Sequence, residues 1–271
     1  NSTYNLNKNL SLYLISNASY RQQHAPGTMN STLDIASGKM SRGFDINPYS
    51  YALNTSRTLD PSVDYISNYA PFNILHELDN NYIEINMVDV KFQGEMKWKV
   101  IQGLELSALG AVRYKTSSQE HNVLDAANQA IAYRTGMDDA TIREQNKLLY
   151  TDPDNPYALP ITLLPEGGIY QRQDRRMLGL DFRGTLSWNH LFAEKHITNF
   201  FAGMEVNSLQ KTYSSFQGWG MQYSMGEIPS YIYQFFKNGI ESGSRYYSLG
   251  HSETRSIASF FNATYSYDGR Y

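Results

Sequence analysis

The chain has no cysteine, so it can build neither a disulfide frame nor a thiolate zinc site. It has no apolar run of about 18 residues, which excludes a membrane-spanning helix but not a spanning strand, whose side chains are half polar. It also lacks a surplus of one charge. Its 23 Lys and Arg against 26 Asp and Glu leave a net charge of −3, without the basic excess of a nucleic-acid binder. Catalytic signatures are missing as well. His76-Glu77 is not followed by a second histidine at helical spacing, and there is neither a Gly-x-Ser-x-Gly elbow nor a phosphate loop. These absences point away from an enzyme and away from nucleic acid.

What the chain does have is alternation. Over Tyr82 to Val100, every second residue from Val88 onward is apolar or small: Val88, Val90, Phe92, Gly94, Met96, Trp98 and Val100. The residues between them are Asp89, Lys91, Gln93, Glu95, Lys97 and Lys99. Successive side chains of a strand point to opposite faces, so this is one strand with an apolar side and a charged side. Val88 to Trp98 is 11 residues, the length a tilted strand needs to cross a bilayer. Aromatic residues make up 14 % of the chain, 22 of them tyrosine, which fits aromatic girdles at membrane interfaces.

The pattern recurs, giving six expected strands. The first is Tyr4 to Tyr20, with Lys8 near its start where its stem can snorkel, and the second is the strand just described. The others are Leu104 to Thr116, about Arg176 to Asn189, about His196 to Tyr213, and about Glu253 to Tyr267. In the last two, Phe201 and Phe260 fall on the otherwise polar side. Short links are expected near Ile101-Gln102-Gly103 and at about Leu191 to Lys195, with a two-residue hairpin turn at Asp268-Gly269. Roughly Arg21 to Asn81, Ser117 to Arg175 and Ser214 to Ser252 are long connections. Short and long connections alternate, as in an outer-membrane barrel with short periplasmic turns and long extracellular loops. Tyr82–Val100 then descends to a tight turn at Gly103, with Trp98 near the inner interface. The fold class expected is all-β: a transmembrane antiparallel β-barrel, here an incomplete segment of about six strands with long extracellular loops. Six strands cannot close a barrel, and open edges are not tolerated in lipid, so residues 1–271 are expected to be part of one barrel domain of a larger protein.

On that fold Asp89, Lys91, Glu95, Lys97, Lys99, Glu105, Arg113, Lys115, Asp181, Arg183 and Glu205 all point to the lumen. Mixed signs suggest ion pairs lining a wide lumen or holding a plug, while the competing interpretation is the solvent face of a soluble sheet. His190 and His196 flank a short turn and are expected at the interface. Asp138 to Tyr150 suggests a short loop helix, capped by Asp138 or Asp139 and ended by Asp152-Pro153. Asp152 to Asn155 offers oxygen ligands for calcium, although the span is shorter than a recognised calcium loop. Phe216, Trp219, Tyr223, Tyr231 and Tyr233 are candidates for stacking on a substrate or packing on a partner; the alternative is packing on one another.

Two stretches carry a family resemblance. NNYIEINMVDVKFQGEMKWKVIQGLELSALGAVRYKTSSQEH (Asn80 to His121) resembles the barrel of SusC/RagA-type TonB-dependent outer-membrane transporters of Bacteroidetes. RSIASFFNATYSYDGRY (Arg255 to Tyr271) resembles their recurring aromatic strand-turn pattern. The resemblance implies a 22-stranded barrel with an amino-terminal plug, a SusD-like surface lipoprotein as lid, and import of oligosaccharides or peptides energised through TonB. The plug, the TonB contacts and the remaining strands would lie outside this chain, so none of their residues can be assigned here. A passive outer-membrane porin and a soluble or surface carbohydrate-binding β-protein are the competing functions.

Overall fold

The computed structural model describes residues 2–27 and 74–267, together with four short strands between those two stretches. The elements run β1 (Ser2–Asn7), β2 (Leu10–Pro26), the short strands β3 (Met29–Asp34), β4 (Lys39–Phe44), β5 (Tyr65–Ser67) and β6 (Ala70–Phe72), then α1 (Ile74–Asn80). They continue with β7 (Asn81–Ile101), β8 (Leu104–Val123), α2 (Asn128–Arg134), α3 (Ala140–Gln145), β9 (Gly168–Phe192) and β10 (His196–Gln222). After a single 3-10 turn come β11 (Ile228–Pro229), α4 (Tyr233–Glu241) and β12 (Tyr247–Tyr267). One antiparallel sheet follows the order β1-β2-β7-β8-β9-β10-β12, with β11 also on β10, while β3-β4 and β5-β6 are separate two-stranded ribbons. The chain is therefore an all-β meander of barrel type, and no helix among the described residues is long and apolar enough to cross a membrane.

The first expected strand is in fact two. Lys8 and Asn9 form a turn between β1 and β2, so Lys8 sits in a hairpin tip rather than near a strand start. Both arms keep their apolar residues on one face because the register sets Tyr4 opposite Leu12 and Ser2 opposite Leu14. The other strands are longer than expected. β9 spans 25 residues and β10 spans 27, whereas about 9–11 cross a bilayer. The long connections shrink to 27–80, 124–167 and 223–246, but their alternation with short turns holds across the described residues. Asp268-Gly269 lies outside them.

Each short turn has its own chemistry. Gly103 adopts φ +82, and a Cβ there would fall 2.0 Å from the carbonyl oxygen of Asn189. Only glycine combines that backbone with that approach. Ala193 and Glu194 both take positive φ, 47 and 58, as a turn that follows the twist of its two strands requires.

Register aligns the faces strand by strand. Leu14, Gly94, Gly110, Phe182, Val206 and Ile257 stand side by side in one row, flanked by rows such as Leu10, Trp98, Leu106, Leu186, Ala202 and Phe261. The band they form starts at Tyr20 on β2, but on β12 it starts at Ile257, whose row meets β2 at Leu14, six residues lower. Such a drift is what tilted barrel strands produce.

Above the band the pattern inverts. On β7, Ile83, Ile85 and Met87 lie on the opposite face from Val88 and are buried, while Glu84 and Asn86 continue the band's own face. That face is charged in its upper part: Glu84 lies 3.8 Å from His24, Arg172 is 3.3 Å from Glu120, and Arg255 is 2.6 Å from Glu253. The same face thus changes from uncharged and apolar in the band to ion-paired above it. The lower edge is aromatic. Trp188 stacks on His190 with centroids 5.9 Å apart, His190 meets Phe192 at 4.2 Å, and His196 Nδ1 lies 2.7 Å from the Tyr265 hydroxyl.

Candidate transport wall and outer mouth

All eleven candidate lumen residues share the face opposite the apolar band, with Lys99 and Glu105 opposite each other across β7 and β8. Asp89 is the hub. It receives Arg113 through two hydrogen bonds of 3.0 and 2.7 Å, and Lys115 Nζ approaches to 3.3 Å. The bidentate fork explains the choice of arginine here, because its planar geometry matches a carboxylate. Lower down, Arg183 pairs with Glu205 directly across β9 and β10. Lys97 lies 3.4 Å from Glu95, which also accepts a 3.2 Å hydrogen bond from Ser107. Lys91, Glu105 and Asp181 form no ion pair within 4 Å among the described residues.

The two phenylalanines that break the polar file belong together. Phe201 and Phe260 meet on this face with centroids 5.6 Å apart, and the Phe260 ring lies over Gly203, where a Cβ would come within 2.4 Å of it. The missing side chain at Gly203 makes room for the ring, so the apparent register fault is an aromatic pair seated on a glycine.

At the top of the wall the face is closed by loops. Val123, Ala127, Ala130, Leu164 and Ile169 form a buried cluster, with Tyr133 and Trp219 packed against it. Arg134 ties the ends of the 124–167 connection together by donating to the carbonyls of Asp125 and Gly167. The loop helix α3 is capped as expected: the Asp139 carboxylate accepts from the Thr141 and Ile142 amides at 2.8 and 3.0 Å. It ends at Gln145, well before Asp152-Pro153. The cause is Asn146, whose buried amide donates to the carbonyls of Ala132 and Thr135 and draws the chain onto α2.

A second buried junction was not legible as a site. Glu77 is only 3 % exposed; its carboxylate accepts from Asn81 Nδ2 at 2.9 Å and from the Asn128 amide at 2.8 Å. Asn81 Oδ1 lies 2.7 Å from His121 Nε2. Burial pushes the His121 imidazole down to about 4, with the Gln171 side chain acting weakly the other way. His76-Glu77, which carries no zinc-protease motif, thus supplies an anchor joining α1, β7, β8 and α2.

The acidic turn at Asp152 to Asn155 holds a cation of the protein's own. The carboxylates of Asp152, Asp154 and Glu241 converge, and Lys237 Nζ from α4 sits among them at 2.5, 2.6 and 3.6 Å. The ammonium takes the position a calcium ion would need. Its hydrogen bonds to Asp152 and Asp154 raise the Lys237 pKa, and the same contact lowers that of Asp152. Tyr150 donates to Glu241 at 2.8 Å, and burial with that contact pushes its phenol up to about 12. Lys237→Met should leave three carboxylates facing one another and release α4 from the 150–154 turn. The expected readout is faster proteolytic cleavage near Asp152, with the strand signal in circular dichroism unchanged.

The five candidate loop aromatics separate. Phe216 lies on β10 itself, 6.4 Å from the Tyr170 ring. Trp219 packs between Tyr133 at 4.6 Å and Phe235 at 5.4 Å, and Tyr231 reaches Phe236 at 5.6 Å. Tyr223 donates to Asn122 and to the Ile169 carbonyl, both at 3.2 Å, and burial raises its pKa. Tyr233 alone of the five is strongly exposed, at 73 %. The aromatic residues Phe235, Phe236, Tyr246 and Tyr247 were not among the candidates, although Phe236 and Ile240 at helical spacing mark an amphipathic helix.

No protein-family model matches the sequence, and no curated protein matches it either. Solved structures do match in fold. The chain is similar to a chain of the RagAB peptide transporter, with a TM-score of 0.59 at 14 % identity, over 98 % of this chain and 25 % of that one. The RagAB peptide importer in its closed-closed state gives 0.58 at 13 % identity, and in its open-open state 0.54 at 14 %, with the same coverage. The chain thus spans about a quarter of the length of the chains it matches. The likeness shows the fold alone: a stretch of antiparallel β-barrel wall.

Proposed function

We propose that this chain is a wall segment and outer mouth of an outer-membrane importer of the SusC/RagA type. Its role is nutrient transport rather than catalysis. The observation that carries this is the apolar band. Across six neighbouring strands one face holds no charged residue over bilayer height, ends below in aromatic side chains, and becomes ion-paired above. A soluble sheet has no physical reason to change its outer face at one level on every strand. On this reading the Asp89-Arg113-Lys115 and Arg183-Glu205 pairs line the lumen, held rigid enough to grip a plug. The long loops capture substrate beneath a SusD-like lipoprotein lid, and TonB supplies the energy through parts of the protein outside this chain. The fold likeness to a peptide transporter supports peptides over oligosaccharides as cargo.

The test uses the full-length protein. It should partition with outer membranes, need detergent for extraction and shift in electrophoretic mobility on boiling. Peptide accumulation should require the proton-motive force. Recovery from the aqueous fraction without detergent would overturn the membrane assignment, and accumulation independent of energy would replace active import by a passive porin.

A further inference from the structure

Above the apolar band, β10 continues through Gln217 and Trp219. Their register partners Gln171 and Ile169 lead across β9 and β8 to His121 and Val123, so both residues lie on the same face as the Asp89 hub. Over this extension, α4 and the segment that follows it enclose a cavity of about 740 Å³. This volume lies within the roughly 300–1,000 Å³ range typical of small-molecule pockets. Phe235, Phe236, Tyr246 and Tyr247 form its aromatic wall, with Trp219 alongside. The wall is braced: Phe236 meets Tyr246 edge-on at 5.4 Å, Phe235 meets Trp219 at 5.4 Å, and Lys237 on α4 is clamped by Asp152 and Asp154.

Arg245 is the one charged side chain lining the cavity, and no carboxylate among the described residues pairs with it. A half-open cavity with an aromatic wall, the polar side chains of Gln217, Asn238 and Ser244 at its edge and a single exposed guanidinium suits a ligand with an apolar body and one anionic group. A planar carboxylate suits the guanidinium fork. A neutral sugar would offer the aromatic wall a face to stack on but would leave Arg245 without an anion.

We propose that this cavity is an entrance subsite for an apolar ligand end bearing a carboxylate, the C-terminal residue of a short peptide. The proposal rests on the importer reading and adds to it a position, a polarity of entry and a chemical class. The same chemistry could be presented by an acidic sugar, which the experiment separates.

The full-length protein in detergent is titrated with three probes: the tripeptide Ala-Ala-Phe, its C-terminal amide, and a disaccharide ending in glucuronic acid. The free acid should bind at least about tenfold more tightly than the amide, the size of effect expected from a charge-assisted hydrogen bond. Arg245→Gln, at an exposed position where folding is not at stake, should erase that difference while leaving amide affinity unchanged. Ser244→Trp, which fills the cavity, should weaken both peptides. Equal binding of acid and amide, or an equal loss of both in Arg245→Gln, would overturn the subsite. Tighter binding of the uronic acid than of the peptide would overturn the peptide assignment. Should Arg245→Gln change nothing while the protein still accumulates peptide from the outer membrane, the importer reading stands and only the cavity's role falls.

Discussion

Phe92→Arg should keep the full-length protein from assembling stably in the outer membrane, whereas Gln93→Arg, one residue away, should be tolerated. Phe92 lies near the middle of the β7 band, is 62 % exposed, and shares its face with Val112 and Ser16. An arginine on the lipid face near the bilayer midplane costs roughly 2–4 kcal/mol, a large part of the net stability of a typical domain. Gln93 points to the opposite face, between Ile15 and Ala111 of the adjoining strands and flanked along β7 by Lys91 and Glu95 on that charged face. There the substitution should shift stability by about 0.5 kcal/mol or less. Urea unfolding from phospholipid vesicles measures both. The contrast is sharp because a soluble sheet predicts the reverse: replacing an exposed phenylalanine with arginine would be neutral or would improve solubility. Equal tolerance of the two variants would therefore remove the membrane from the account.

The wall was legible in the sequence because its strands alternate apolar and polar side chains with period two, residue by residue. The strand of Val88 to Trp98, its two faces, its turn at Gly103 and the shared face of Asp89, Arg113, Arg183 and Glu205 all follow from that alternation. Lys8 was misplaced for an instructive reason. From Ser2 to Asn5 the β1-β2 register puts even-numbered residues opposite even-numbered ones, and a bulge between Asn5 and Asn7 absorbs the shift, so the alternation in the sequence carries on across the hairpin and hides the turn. The strand extensions were hidden for a different reason. Above Met87 the apolar residues change sides, since the upper polar face is covered by loops while the other face meets water. A pattern read for a single phase ends there, although the backbone ladder continues.

The outer mouth was less legible because its contacts are non-local. Asn146 ends α3 by reaching Ala132, and Lys237 finds Asp152, 85 residues away along the chain. Neither pairing leaves a periodic trace. The spacing between strands marked the loop region, but which of its rings pack on one another and which line a cavity depends on how α4 sits over β10.

Acidification should loosen this mouth before it disturbs the wall. The buried His121 is neutral in the folded protein, since burial lowers its pKa from 6.5 to about 4. Between those two values the unfolded junction binds a proton that the folded one refuses. Stability is therefore full above about pH 6.5 and falls as pH drops toward 4, by up to about 3 kcal/mol. The loss falls on the junction of Glu77, Asn81 and His121, which joins α1 and α2 to the tops of β7 and β8. Hydrogen exchange at pH 7 and at pH 5 should therefore show opening confined to the 124–167 connection and the upper strand ends, with the band residues of β7 to β9 still protected. His121→Gln keeps an amide donor for Asn81 but has no proton to gain in this range, so it should flatten the pH dependence between 6.5 and 4. Should the wild type and His121→Gln lose protection in parallel, the pH sensitivity would belong to the carboxylates of the mouth, and the buried imidazole would be only a structural member of the junction.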